Sequence, residues 1–221
     1  MRLTPRLRAA FLGLGSALAV TTLASWSAGQ NAPLPAHPVS SLTPSGFLAR
    51  NIPDATPNAA QLRRGQSLVV AGDCLACHLR AGGDPFAGGL GLNTPFGEIY
   101  SSNISSDRGT GIGNWTNDQF HRAMHDGIDD QGANLYPAFP YPWFTRASRA
   151  DDDAILAYLK STPAIDYSPP PNRLPFPLNI RVLVKGWNLL FFRPREFQAD
   201  PRQSTAWNRG AYLVTGVGHC G

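Results

Sequence analysis

Charge is scarce in this chain: 15% of its 221 residues are Asp, Glu, Lys or Arg, against roughly 25% in an ordinary soluble domain. Three cysteines and two methionines leave no room for a four-thiolate metal site. The hydrophobic share of 43% is too low for a polytopic membrane protein, and no internal repeat of fixed period runs along the chain, which excludes a solenoid or a coiled coil. The formal charge of +4 owes three units to Arg2, Arg6 and Arg8 near the start; without them 16 basic residues face 15 acidic ones. No Lys/Arg stripe follows, so the electrostatic footprint of a nucleic-acid partner is missing. No paired carboxylates or nucleophile–base spacing marks a substrate-turnover site. Glycine and proline, by contrast, are plentiful at 22 and 20 residues. Spread without a period, they suggest loops wrapped around something rather than a large regular core.

Ala9 to Gln30 carries no charge, follows the three arginines and ends in small residues. This is the order of an export signal, assigned to residues 1–27, with cleavage after Ala24 or Ser27 or, in the alternative, retention as an N-terminal anchor. Either way the expected location is the periplasm. Residues 28–60 are rich in Pro, Ala, Ser and Asn and read as a linker. Gln61–Ala71 is a short helix candidate through Leu62, Leu68 and Val69. Residues 79–115 hold nine glycines and no apolar period, so a long ordered loop is expected there. Thr116 with Gln119 has capping-box spacing and opens a helix with Phe120, Ala123 and Met124 on one side. Ser148 with Asp151 opens another, burying Ile155, Leu156, Tyr158 and Leu159 and ending at Thr162-Pro163. Ser168 and the three prolines after it cannot continue a helix and read as a connector.

The most specific signal is Cys74-Leu75-Ala76-Cys77-His78. Two thiols three apart can each bond one vinyl group of a haem, and the following histidine can turn its ring to the iron as proximal ligand. A disulfide between Cys74 and Cys77, a redox-active thiol pair or a zinc site are the competing readings. The last lacks ligands, and the redox pair lacks a βαβ setting. An echo follows later: Arg64-Gly65 before Gly72-Asp73-Cys74 resembles Arg209-Gly210 before Gly218-His219-Cys220. Of the two methionines, Met124 alone lies beyond the export signal; together with His125 and His121 on the same helix it is a candidate sixth ligand of the iron.

Phe86-Ala87-Gly88-Gly89, Thr94-Pro95-Phe96-Gly97, Ile99 to Ile104, Thr110 to Trp115, Leu135 to Tyr141, Leu174 to Arg181 and Gly186 to Phe192 surround that motif. With it they resemble the multihaem cytochrome c subunits of bacterial membrane-bound dehydrogenases over residues 61–221. The resemblance implies a mainly α fold: a class I cytochrome c domain with long glycine- and proline-rich loops over 61–163. An interdomain connector over 164–203 and the start of a second cytochrome c domain over 204–221 would follow. Gly65 would let two helices cross closely, with Tyr158 at the crossing. Cys74, Cys77 and His78 would hold one haem c. Cys220 would serve a second haem in a longer protein, of which this chain resembles an N-terminal part.

By the same resemblance the chain is an electron-transfer subunit and not the catalytic one. Its implied partners are a dehydrogenase catalytic subunit and a quinone or terminal oxidase as acceptor, with membrane association. Many members carry methionine where Phe139 stands, and phenylalanine cannot ligate iron. That departure keeps open the alternative of a haem peroxidase or gas-binding sensor with an open distal iron. Trp115, Tyr136 and Phe139 are candidate walls of the haem pocket or ordinary core aromatics.

Overall fold

The structure, a computed structural model, describes residues 46, 48 and 50–220. The export-signal assignment and most of the linker assignment lie outside the described residues. Helix α1, Ala59–Ala71, buries Ala59, Gly65, Leu68 and Val69 and crosses α5, Arg149–Lys160. A Cβ placed on Gly65 would stand 1.9 Å from the Ala154 carbonyl oxygen and 2.8 Å from Tyr158 Cβ. The crossing therefore requires glycine at 65. Helix α5 starts where Ser148 Oγ accepts a hydrogen bond from Asp151 N, and its buried face is Ala154, Ile155, Leu156, Tyr158 and Leu159. Between them lies the one-turn α2, Cys74–Cys77.

Helix α3, Asn117–Asp126, opens with both halves of its capping box in place: Gln119 N donates to Thr116 Oγ1 at 3.2 Å and Thr116 N to Gln119 Oε1 at 2.8 Å. It buries Phe120, Ala123 and Met124, the three positions read from the sequence. The short α4, Tyr141–Phe144, packs its Phe144 into the same core.

Three features depart from the sequence reading. Residues 79–115 are not loop throughout: β1, Gly91–Thr94, and β2, Gly97–Tyr100, pair antiparallel with Leu92 opposite Ile99. Four-residue strands flanked by glycine carry no alternation long enough to detect. Packing also reaches ahead of Gln61: Ile52 is buried, and the Arg50 guanidinium donates to Ser161 O and Oγ at 3.0 and 2.8 Å. Single side chains anchoring an irregular, turn-containing segment leave no period to read. The connector, finally, contains a 3₁₀ turn, Arg181–Leu183, that leads into helix α6, Val184–Phe191.

Helix α7, Thr205–Tyr212, begins under Ser204, whose Oγ accepts from Trp207 N at 3.1 Å. It runs into a π-helical turn, Leu213–Val217. Tyr212 and Val217 reach the core that α1 and α5 build. The regular structure of the described residues is thus mostly helical, with a single two-stranded hairpin among them.

Candidate functional site

Helix α1 stops at Gly72, whose N–H returns to Leu68 O at 2.8 Å, and Asp73 takes a left-handed conformation with φ of 47°. The reversal starts α2, which holds Cys74, Cys77 and, at its end, His78 within one turn; His78 N donates to Cys74 O at 3.0 Å. Leu75 is the turn's buried anchor. All three cysteines of the chain are free thiols; Cys74 packs against the core and Cys77 is exposed. Burial pushes the Cys74 thiol up to about 12, and burial followed by the charge of Asp73 raises Cys77. Both therefore stay protonated at neutral pH, unlike the low-pKa thiolate of a redox-active pair.

His78 Nδ1 lies 2.7 Å from Ser102 O. Burial lowers the pKa of this imidazole more than that hydrogen bond raises it. A neutral ring that donates Nδ1–H to a carbonyl keeps its Nε2 lone pair for a metal and has its orientation fixed. The backbone around Ser102 is built for this contact. Gly88 N donates to His78 O at 3.0 Å and Gly89 N to Ser101 O at 2.9 Å. A Cβ on Gly88 would fall 2.2 Å from Ser102 O, so the glycine pair lets two chain segments touch at the histidine. Asn103 then clamps the segment: its Nδ2 donates to Ile165 O at 2.7 Å and Thr110 Oγ1 at 3.0 Å, and its Oδ1 accepts from Ser105 N at 2.9 Å. Ser102 and Asn103 were quoted in the sequence only as part of a resemblance. Their roles depend on backbone contacts that residue type does not announce.

Arg80, two residues past His78, is 5% exposed, lies over the Tyr167 ring at 3.9 Å and has an Nη1 with no hydrogen-bond partner among the described residues. A buried guanidinium nitrogen left without an acceptor suits an anionic group.

The other sequence candidates lie as follows. Met124 is buried beside Phe120 in the core. His121 Nδ1 is 2.6 Å from Asp152 Oδ2, and His125 Nδ1 is 2.9 Å from Asp126 Oδ1; the two rings stand 5.2 Å apart. Trp115 and Phe139 pack against the core around Met124 and Phe144, whereas Tyr136 donates its hydroxyl to Leu178 O in the connector at 2.9 Å. Cys220 is exposed and donates to Gly218 O at 2.9 Å. The neighbouring His219 ring meets Phe144 edge-on at 5.5 Å, and Phe144 lies 5.3 Å from Phe139. Among the described residues, no three His, Cys, Asp or Glu side chains form a protein-only metal site.

The sequence reading gives Asp151 only as the capping-box partner of Ser148 and misses its buried contacts. It is 1% exposed, accepts from Tyr212 Oη at 2.6 Å and from Arg64 Nε, and lies 3.7 Å from Arg209 Nη1. The two arginines of the Arg-Gly echo thus meet on one carboxylate. The echo was the signal that could have found it.

No protein-family model matches the chain. A subunit of the nicotinate dehydrogenase of Pseudomonas putida is 50% identical over 163 residues, 74% of this chain and 14% of that protein. The gluconate 2-dehydrogenase cytochrome c subunit of Pantoea cypripedii is 41% identical over 170 residues, 76% of this chain and 38% of that protein. A dihaem cytochrome c-type protein of Cereibacter sphaeroides is 36% identical over 166 residues, 72% of this chain and 55% of that protein. The chain therefore spans between about a seventh and about half of the length of these relatives. Cytochrome c subunits of fructose and quinone-dependent alcohol dehydrogenases match at 37 and 38% identity. By sequence, the chain is a relative of the cytochrome c subunits of dehydrogenases.

Proposed function

We propose that the chain carries one haem c and passes electrons, in the periplasm and at the membrane, from a dehydrogenase catalytic subunit towards quinone or a terminal oxidase. The observation that carries the reading is the single turn in which two free thiols precede a histidine whose Nδ1 lies 2.7 Å from Ser102 O. Haem c, when bound, supplies a one-electron ferric/ferrous couple.

The chain's own residues do the rest. Cys74 and Cys77 would hold the haem, each by addition of its S–H to one vinyl group, which needs no oxidant or reductant. Protonated thiols suit that addition. His78 offers Nε2 to the iron in an orientation held by Ser102. Arg80 offers its unpaired Nη1 to a propionate. Phe139, Trp115 and Phe144 keep water from the pocket, and Met124 or His125 supplies a sixth ligand. Cys220, an exposed free thiol at the end of the second Arg-Gly segment, would offer its sulfur to a further haem.

Phe139 favours a second reading, a haem peroxidase or gas-binding sensor with an open distal iron, because phenylalanine leaves the usual methionine place without a ligand. The experiment that separates the two uses chain exported to the periplasm, with visible spectra taken oxidised, reduced, and reduced under carbon monoxide. A low-spin spectrum that carbon monoxide does not move supports the electron carrier. A large shift supports the open iron, and a colourless protein overturns both.

A further inference from the structure

Single exposed apolar residues are ordinary on a protein surface, but a dense group of them is not. Phe176, Val182, Leu183, Leu189, Leu190 and Phe191 are each more than half exposed, Leu189 to Phe191 by at least 70%. They fall within 16 residues around α6. The helix is pinned from its other side: Val184 is buried, Asn188 Oδ1 accepts from Tyr141 Oη at 2.5 Å, and the buried Phe192 meets the Tyr141 ring edge-on at 5.0 Å. Nothing stands within 4 Å of a Cβ built on Gly186, so the outward face is open among the described residues.

The charge around this face has one sign. From Tyr167 to Arg195 there is no Asp or Glu, while Arg173, Arg181, Lys185, Arg193 and Arg195 are basic. Arg173 is paired with Glu98 and Arg181 with Asp129. Lys185, Arg193 and Arg195 have no acidic partner among the described residues. No described helix is long and apolar enough to cross a membrane.

We infer that the outer face of α6 and the turn before it lie on the surface of a bilayer with anionic headgroups, the apolar side chains entering the interface and Lys185, Arg193 and Arg195 meeting the headgroups. Cations beside an apolar, half-helical face are the pattern of an interfacial segment, and negative headgroups supply the charge that the chain does not. A second copy of the chain fits less well, since a two-fold contact through this face would set these cations against their own copies. The inference rests on the membrane association in the proposed function and names the surface that makes it.

The test pellets the full exported chain with vesicles of phosphatidylcholine alone and with added phosphatidylglycerol. The expected result is pelleting that rises with phosphatidylglycerol and falls as salt is raised from about 0.05 to about 0.5 M. The variant Leu189→Ser/Leu190→Ser/Phe191→Ser should bind at least about tenfold more weakly, and Lys185→Glu/Arg195→Glu should lose the dependence on phosphatidylglycerol. Any contribution of Ala9–Gln30 is common to all three chains, and the substituted residues are exposed, so folding is unaffected. Equal pelleting of the wild type and the apolar variant overturns the inference. So does a concentration-dependent dimer that the variant abolishes while vesicles capture neither chain. Loss of covalent haem would strike the proposed function and would leave the pelleting result standing.

Discussion

Gly65 and Gly210 hold matching places in two Arg-Gly segments that each lead to a cysteine, yet their surroundings are opposite. A methyl group on Gly65 would run into the backbone of Ala154, whereas one on Gly210 would meet nothing within 4 Å. The first segment crosses α5; among the described residues the second crosses no comparable helix and leans on the first and its surroundings instead. Its Arg209 and Tyr212 turn to Asp151, already held by Arg64, and Val217 Cγ1 comes within 3.2 Å of the place a Gly72 Cβ would take. A shared pattern thus specifies an ability to pack closely, and the partner helix decides whether it is used. The second segment is joined to α1 and α5 through the buried Asp151 carboxylate, through Ser148 N donating to Tyr212 Oη, and through the core packing of Tyr212 and Val217.

The largest contrast expected between the segments is in haem. Cys74→Ser/Cys77→Ser should abolish covalent haem, and His78→Ala should destroy the low-spin spectrum, while Cys220→Ser should change neither; haem staining of denaturing gels and visible spectra check this. Next comes packing. Gly65→Val should cost more than about 3 kcal/mol, because the clash is with backbone and the helices must separate. Gly210→Ala should be neutral or gain about 0.5–1 kcal/mol by removing a glycine from a helix. Denaturant unfolding of the two variants would break the comparison if they shifted alike.

Asp151→Ala should cost about 2–3 kcal/mol, since it strips a buried acceptor from two cations and a tyrosine, and should free α7 to exchange its amide hydrogens sooner. Burial raises the Asp151 carboxyl, but the hydrogen bonds from Arg64 and Tyr212 and the charges of Arg64 and Arg209 outweigh it and hold the pKa below the ordinary value. Its contribution is therefore present above the unfolded carboxylate pKa of about 3.9 and is lost as pH falls through the lower folded value.

The neighbouring Asp152 has the opposite sign. Burial, followed by the charges of Asp151 and Asp153, raises it to about 8. A raised folded pKa means that its contribution is complete below about pH 4 and declines as pH rises towards that folded value. Asp152→Asn should flatten this decline, gaining on the wild type from about pH 5 to about pH 8 in urea midpoints.

The elements that could be read from the sequence were those that carry their own local signal. Thr116 and Gln119, Ser148 and Asp151, and the apolar positions of both helices rest on side chains within a turn or two of each other. The Cys74 to His78 run is likewise a local pattern, and the close approach at Gly65 entered through the resemblance. What escaped depends on partners distant in sequence. The hairpin at 91–100 has strands too short for a period and is tied at Glu98 to Arg173 by backbone bonds of 3.1 and 2.8 Å. Arg50 finds Ser161, Ser102 finds His78, and Asp151 finds Arg209, each across a loop whose path residue type does not encode. Asp151 reads locally as the capping-box partner of Ser148; its burial and that of Asp152 come with contacts to Arg64 of α1, His121 of α3 and Tyr212 of α7. Helix α6 falls in what the sequence gives only as connector, since its exposed apolar face breaks the inward pattern on which helix reading relies.

The most direct test is the amount of haem that stays with the exported chain after denaturation in acidified acetone. One haem per chain in the wild type and in Cys220→Ser, and none in Cys74→Ser/Cys77→Ser, is the predicted result. A wild-type chain that is colourless, or that surrenders its haem to the solvent, would contradict the account.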